Sequence, residues 1–463
     1  MKNKRTIYRI SNGIITIAVV AILIILNVFV KDASWEFDLT ETGMYKLTSQ
    51  TIDYIQKIDK ETKLILLQRD ETPEDYLVKI VKLYPKYSSK IKVEKLDPDK
   101  NPALLEKYLK KDSKLTYGSI VIDNGEEWDV VNKYGTLVRD SEGNIVSRVE
   151  RKITSAIYKI NTAQKNMVYV LTGHGERGVE ELYQIKDYLS DILYDLKELN
   201  LMTEGKIPED IYSLAILGPT GDISDEEKDM ILEYMKNGGN LTLAIDVDVK
   251  EDNYKNIKEI VKEYNLSLDD NYICEDKGHY AQDLVMALIP MLSPNEITRD
   301  SINSKVNIFM PLSRSISVID EKYKDVKIKP ILVTSEGSWE EKDFASAPKK
   351  DDSDRVGSFN VAVAATKVQD GKESKLVVFG SSNLIDNQVI ERYATLGNKD
   401  LFITTIKWFD DDNLNTLDVP EKVEKEEHYS VDGKTAQKLI IGSLIVPVVF
   451  LSLGVCTYIK RRD

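Results

Sequence analysis

Two uncharged apolar runs, Ile14–Val30 and Leu439–Tyr458, stand near opposite ends of the chain and limit what it can fold into. Polar interruptions are few: Thr16 and Asn27 in the first run, and Ser443, Ser452, Thr457 and the kinking Pro447 in the second. At a rise of about 1.5 Å per residue the first run spans roughly 25 Å, close to the least a bilayer requires, and Tyr8 and Ile10 can extend it at the interface. Pro447 is tolerated in a membrane helix. Residues 11–31 and 437–459 are therefore expected to be transmembrane helices. Lys2, Lys4, Arg5 and Arg9 precede the first run, and Lys460, Arg461 and Arg462 follow the second. The positive-inside rule then places both termini in the cytoplasm and residues ~32–436 outside, in a cell membrane crossed twice. The bulky Val28-Phe29-Val30 offers no small-residue cleavage site and Asp32-Ala33-Ser34 only a weak one, which favours an anchor over a removed signal peptide.

The region between the runs reads as α/β. Residues 32–60 form a juxtamembrane segment with a helix, in which Thr48-Ser49 offers a cap and Ile52, Ile55 and Ile58 share a face. Residues 61–150 follow as a first unit. Lys63–Leu67 is a strand, and Glu74–Tyr84 a helix stopped by Pro85. Ile91–Leu96 is a second strand, and Tyr117–Ile122 with Trp128–Val131 a hairpin across Asn124-Gly125. That order resembles a thioredoxin-like unit without its redox cysteine pair. Cys274 and Cys456 are the only cysteines, and the second lies in an apolar run, so neither a disulfide framework nor a thiolate metal site is expected.

A larger unit is expected over residues 165–410. Val168–Leu171 is a buried-type strand, and Leu182, Ile185, Leu189, Ile192 and Leu196 mark an amphipathic helix. Leu214–Leu217 and Leu241–Ile245 are further strands, separated by a helix that Ser224 and Glu227 open as a capping box and Gly238-Gly239 end. Val361–Ala365, Leu376–Phe379 and the helix Lys399–Phe409 resume the pattern, which predicts a mainly parallel sheet covered on both faces. Gly337–Gly357 reads as an exposed loop, and residues 411–436 as an acidic linker to the second run.

Chemistry is best sought where strands end. Gly173, His174, Gly175 and Glu176 follow a strand, and Asp246, Ser381 and Asn383 follow two others. In an open α/β sheet these turns share the carboxyl edge, where ligands bind. These seven residues are the candidate ligand-binding set. His174 and Glu176 can alternatively be read as the acid–base pair of a membrane-anchored hydrolase, or the turn as structural. No Gly-x-Ser-x-Gly elbow supplies a nucleophile, and His174, His279 and His428 lack zinc-ligand spacing, so no catalytic set, metal or cofactor is expected. Gly433-Lys434-Thr435 resembles the end of a P-loop, but His428 occupies the place of its first glycine, so an ATPase must be a separate chain. A net charge of −14 argues against a nucleic-acid surface.

The chain resembles the GldG-like auxiliary components of ABC-type transport systems over nearly its full length. The matching pieces are the first run, Phe37–Thr40, Tyr45–Thr51, Lys95–Pro102, the Leu171–Glu176 turn, Gly380–Asn383 and the closing run. Family members often carry an acidic residue in the turn held here by Gly380-Ser381-Ser382. The resemblance implies an ABC permease and a separate ATPase as partners; the two apolar runs add membrane lipid, and an envelope component is a further candidate partner. It also implies a flavodoxin-like or glutamine-amidotransferase-like larger domain without a catalytic cysteine. The function so implied is a non-enzymatic accessory subunit, with a protein-binding scaffold as a further alternative.

Overall fold

The computed structural model describes residues 43–424 apart from 70, 109–114, 140–143, 163–165, 248–253, 277, 282, 320–322, 393–395 and 410–418, together with 21 and 454. Apart from Ala21 and Gly454, the two apolar runs fall outside the described residues. Among the described residues, no helix is long and apolar enough to cross a membrane.

The first unit opens with helix α1 (Ser49–Ile55), whose N-cap Thr48 accepts from the Thr51 amide. Strand β1 (Thr62–Leu67) then pairs in parallel with β2 (Ile91–Leu96) across helix α2 (Tyr76–Val81). Strand β3 (Ile120–Asp123) runs antiparallel to β1 and forms the expected hairpin with β4 (Trp128–Val131), which gives the sheet order β2-β1-β3-β4. The alternation along β1 divides its side chains between two cores. Leu64 and Leu66 meet Ile120 and Ile122 on one face, and Ile65 and Leu67 meet Tyr108 and Val121 on the other. Pro85 does not stop the preceding helix. That helix ends at Val81, and Pro85 sits in the first turn of a short helix, Tyr84–Tyr87, where its missing N–H costs nothing.

Strands β5 (Leu137–Arg139) and β6 (Ile145–Ser147) lead into helix α3 (Val149–Asn161), whose Val149, Ile153 and Ile157 are fully buried against the first sheet. On its other side, α3 meets the larger unit. Lys152 reaches Asp187 and Asp191 at 3.1 Å each.

The larger unit is built on an eight-stranded sheet. Its parallel part contains β7 (Asn166–Leu171), β8 (Tyr194–Leu199), β9 (Ile211–Leu217) and β10 (Asn240–Ala244). Strand β11 (Lys372–Phe379) joins them beside β10. The expectation of a mainly parallel sheet needs one correction. Asn360–Gln369 runs antiparallel to β11, and Val326–Val333 and Met291–Leu292 continue antiparallel beyond it. One face carries Val168, Val170, Ala215 and Phe379 under helices α4 (Tyr183–Asp191) and α7 (Asn398–Trp408); the other carries Tyr169, Leu214, Leu243 and Val378 under α5 (Asp225–Lys236) and α6 (Lys255–Lys262). Burial of both faces explains why these strands read as continuous apolar runs.

Three other expectations change. Helix α4 ends at Asp191, and Leu196 lies in β8, because Leu193 turns the chain at a left-handed φ of 75°. Within the segment read as an exposed loop, Trp339–Glu341 is a strand paired with Tyr272–Cys274, and Trp339 is buried. Within the expected acidic linker, Lys422–Glu424 is a strand, β12, paired with β6.

Candidate functional site

Strands β7, β9, β10 and β11 end side by side, so their following turns share one edge of the sheet. The backbone ladder carries into these turns. Gly218 N–H donates to the Ala244 carbonyl at 2.8 Å, and Ile245 N–H to that of Phe379 at 2.9 Å. The candidate residues fall into two hydrogen-bonded groups along this edge.

His174 centres the first group. Its Nδ1 lies 3.0 Å from Glu176 Oε1, and its Nε2 lies 3.0 Å from Glu227 Oε2. Both glutamate side chains are fully buried, whereas the imidazole is 12% exposed. Glu176 Oε2 also accepts the His174 amide at 2.7 Å, which closes the turn on itself. Glu227 Oε2 carries a second duty. It accepts from the amide and the hydroxyl of Ser224, at 2.9 Å each, as the reciprocal half of the α5 capping box. A carboxylate only accepts and a neutral imidazole donates from one nitrogen. Two protons must therefore be shared among these three side chains for both contacts to be hydrogen bonds.

The turn depends on glycine. Gly175 has φ +80°, and a Cβ there would sit within contact distance of the Thr220 hydroxyl. The closeness is real, since the Thr220 and Gly221 amides both donate to the His174 carbonyl, at 2.9 and 3.0 Å. Gly173 and Gly175 face solvent, so the exposed part of this turn is mostly backbone.

The second group joins Asp246 to the turn after β11. Asp246 Oδ1 accepts the Ser382 amide at 2.5 Å, and Oδ2 accepts its hydroxyl at 2.7 Å. Ser381 Oγ donates to the Pro311 carbonyl at 2.9 Å and, at 3.4 Å, lies at the limit of bonding to Asp246. Asn383 folds back so that its amide donates to Ser381 Oγ at 3.3 Å. Buried Arg314 supports the group from beneath, and its Nη2 donates to the Asp246 carbonyl at 2.7 Å. Gly218 leaves room for the contact between Ser382 and Asp246, because a Cβ there would stand 2.6 Å from Ser382 Oγ.

Arg177 links the two groups and was not among the residues expected from sequence. Its amide donates to the Leu217 carbonyl at 2.8 Å. Its guanidinium donates through Nε to Ser382 Oγ at 2.8 Å, through Nη1 to Asp386 Oδ2 at 2.8 Å and through Nη2 to Asn383 Oδ1 at 3.1 Å. A relay of donors thus runs from Arg177 through Ser382 to Asp246. The structure brings all seven expected residues to one edge but ties them largely to one another. Glu227, Ser382, Asp386 and Arg314 complete the arrangement. Of these, the sequence marks Glu227 only as a cap and Ser382 only as part of the Gly380–Asn383 turn; Asp386 and Arg314 carry no mark. Arg177 carried a usable signal, as the cation immediately following the glycine turn.

Cys274 is fully buried on the strand opposite Trp339, and burial pushes its thiol up to about 12. Among the described residues, no cluster of histidine, cysteine and carboxylate side chains could hold a metal ion.

No curated protein matches the chain. A solved structure titled "mmIFT52 N-terminal domain" aligns with 53% of this chain and 97% of its own length, at 12% identity and a TM-score of 0.40. Residues 165–276, from the start of β7 through the buried strand at Cys274, match the family described as "ABC-type uncharacterized transport system", and this match supports the resemblance to an auxiliary component of ABC transport systems.

Proposed function

We propose that this chain is a membrane-anchored, non-enzymatic accessory subunit of an ABC-type transport system, with external α/β units that bind a substrate or an envelope partner. The match of residues 165–276 to the transport-system family carries this reading. In this proposal, residues 11–31 and 437–459 span the membrane with both termini cytoplasmic, and a separate permease and ATPase supply the path and the energy. The order β2-β1-β3-β4, with β1 and β2 parallel, favours a thioredoxin-like scaffold for residues 61–150. The parallel strands under helices on both faces favour a flavodoxin-like core for the larger unit.

The geometry of His174 weighs against the hydrolase alternative. A general base needs a ring nitrogen within reach of substrate, and both nitrogens here face buried carboxylates. Internal bonds on Glu176, Ser382 and Asp246 favour an edge that presents a fixed surface to a partner. Purification of the tagged full chain in mild detergent tests the proposal. The expected result is recovery of a multi-span permease and an ATPase in stoichiometric amounts, and recovery of the chain alone would overturn it.

A further inference from the structure

Helix α3 meets the two units with two different faces. Val149, Ile153, Ala156 and Ile157 pack into the core of the first sheet. The opposite face presents Arg151, Lys152, Ser155 and Lys159 to α4 of the larger unit. Lys152 Nζ lies 3.1 Å from Asp187 and from Asp191, and Lys159 Nζ lies 2.5 Å from Ser190 Oγ. The Ser155 hydroxyl donates to the Asp191 carbonyl, and the Arg151 guanidinium stands 4.7 Å from the centre of the Tyr188 ring.

Helix α4 needs these cations. It carries Asp187 and Asp191 near its carboxyl end and no basic residue in its last turn, so its own charges oppose its dipole. Lys152 and Asp191 are 13% and 11% exposed, so loss of the lysine strands a carboxylate. Burial pushes the Asp191 carboxyl up, and the Lys152 charge pulls it back. No buried apolar cluster among the described residues joins the two units. Domains move most readily across polar seams of this kind. The larger unit is also an insertion in the first. After α7 the chain returns, β12 pairs with β6, and Lys422 Nζ lies 2.6 Å from Glu150 Oε2 at the start of α3.

From these contacts we infer that the seam between α3 and α4 is a latch that opens while both units stay folded, held shut by Lys152 on the acidic end of α4. On opening, α3 keeps its apolar face on the first sheet and gives up only the contacts to α4. A partner that prefers the open or the closed arrangement shifts the balance between them. The latch goes beyond the transport reading and does not depend on it.

Thiol labelling of the full chain in mild detergent, in a Cys456→Ser background, tests the latch. Ser155→Cys puts a reporter inside the seam, where Ser155 is 2% exposed. Ala156→Cys, one residue on, reports on the first core, and the buried Cys274 reports on the larger unit. Maleimide is expected to label Ser155→Cys in the native chain while Ala156→Cys and Cys274 stay protected. Lys152→Met should speed the Ser155→Cys reaction several-fold and leave both controls unchanged, whereas Lys152→Arg should stay near the parent rate. In a chain that already carries Asp187→Asn and Asp191→Asn, Lys152→Met should add little. Lys159→Met reads the same dependence should Lys152→Met fail to accumulate. Equal rates at all three thiols would mean that the seam opens only as the chain unfolds, and would overturn the latch. A seam thiol that stays unlabelled in every variant overturns it too, as does a rate that loss of the lysine leaves unchanged.

Discussion

His174 Nε2 stands 3.0 Å from the Glu227 carboxylate that also caps helix α5, so one buried oxygen joins the turn after β7 to the start of a helix packed under the sheet. The capping box would exist without the histidine, and the glycine turn without the cap. Their union fixes the turn's backbone at the carboxyl edge and leaves its exposed face to Gly173 and Gly175.

Removal of that carboxylate should therefore cost more than removal of a cap. Ser224→Ala deletes one capping hydroxyl, worth about 1 kcal/mol. Glu227→Ala deletes the reciprocal half of the box and also leaves His174 Nε2 without its buried partner, which adds about 1–3 kcal/mol. Denaturant unfolding of the full chain should show Glu227→Ala as clearly the less stable. Equal losses would mean that the histidine contact contributes nothing.

Gly175→Ala should destabilise through two independent effects. The left-handed φ costs about 1 kcal/mol for a residue with a Cβ, and the new methyl group must displace Thr220. Thr220→Ser leaves the hydroxyl oxygen in place and should not rescue the variant, whereas Thr220→Gly should recover part of the loss. Melting temperatures of the single and double variants decide this.

Much of this edge is legible in the sequence, for a specific reason. Val168–Leu171, Leu214–Leu217 and Leu241–Ile245 are buried on both faces, so apolar character alone marked them, and the turns that follow had to share an edge. Ser224 and Glu227 were readable because a capping box is local in sequence. Arg177 with Ser382, and Glu150 with Lys422, are distant in sequence, and no local pattern marks such pairs. Leu196 misled because it continues a helical spacing past Leu193, whose left-handed backbone carries no glycine to announce it. The antiparallel return of Asn360–Gln369 into β11 did carry a signal, Asp370-Gly371, both at positive φ as a tight hairpin turn requires.

Alkaline pH should weaken the fold. Burial is the leading cause that raises Cys274 from 9.0 to about 12, and Tyr54, Tyr76 and Tyr234 from 10.0 to about 12. The unfolded groups lose protons first, so stability is held below about pH 9 and falls as pH rises toward 12. Denaturant midpoints at about pH 8 and pH 10.5 should show the drop. In a Cys456→Ser chain, maleimide at about pH 8 should label Cys274 only after unfolding.

The relay from Arg177 through Ser382 to Asp246 predicts coupled losses. Asp246→Ala leaves the Ser382 amide and hydroxyl without their acceptor in a buried turn, at a cost of about 1–3 kcal/mol for each stranded group. Arg177→Ala removes three donors from a half-buried site, and its pair with Asp386 is partly screened, so about 1–2 kcal/mol is expected. Because Ser382 Oγ both accepts from Arg177 and donates to Asp246, the Arg177→Ala and Asp246→Ala losses should fall short of additivity by about 0.5 kcal/mol or more. Strict additivity in denaturant unfolding would show that the two contacts act separately. Partner recovery then separates scaffold from ligand site. Where the edge only shapes a surface, both variants should lose permease in proportion to their lost stability. A loss in Arg177→Ala far beyond its stability change would mark the guanidinium as a direct contact.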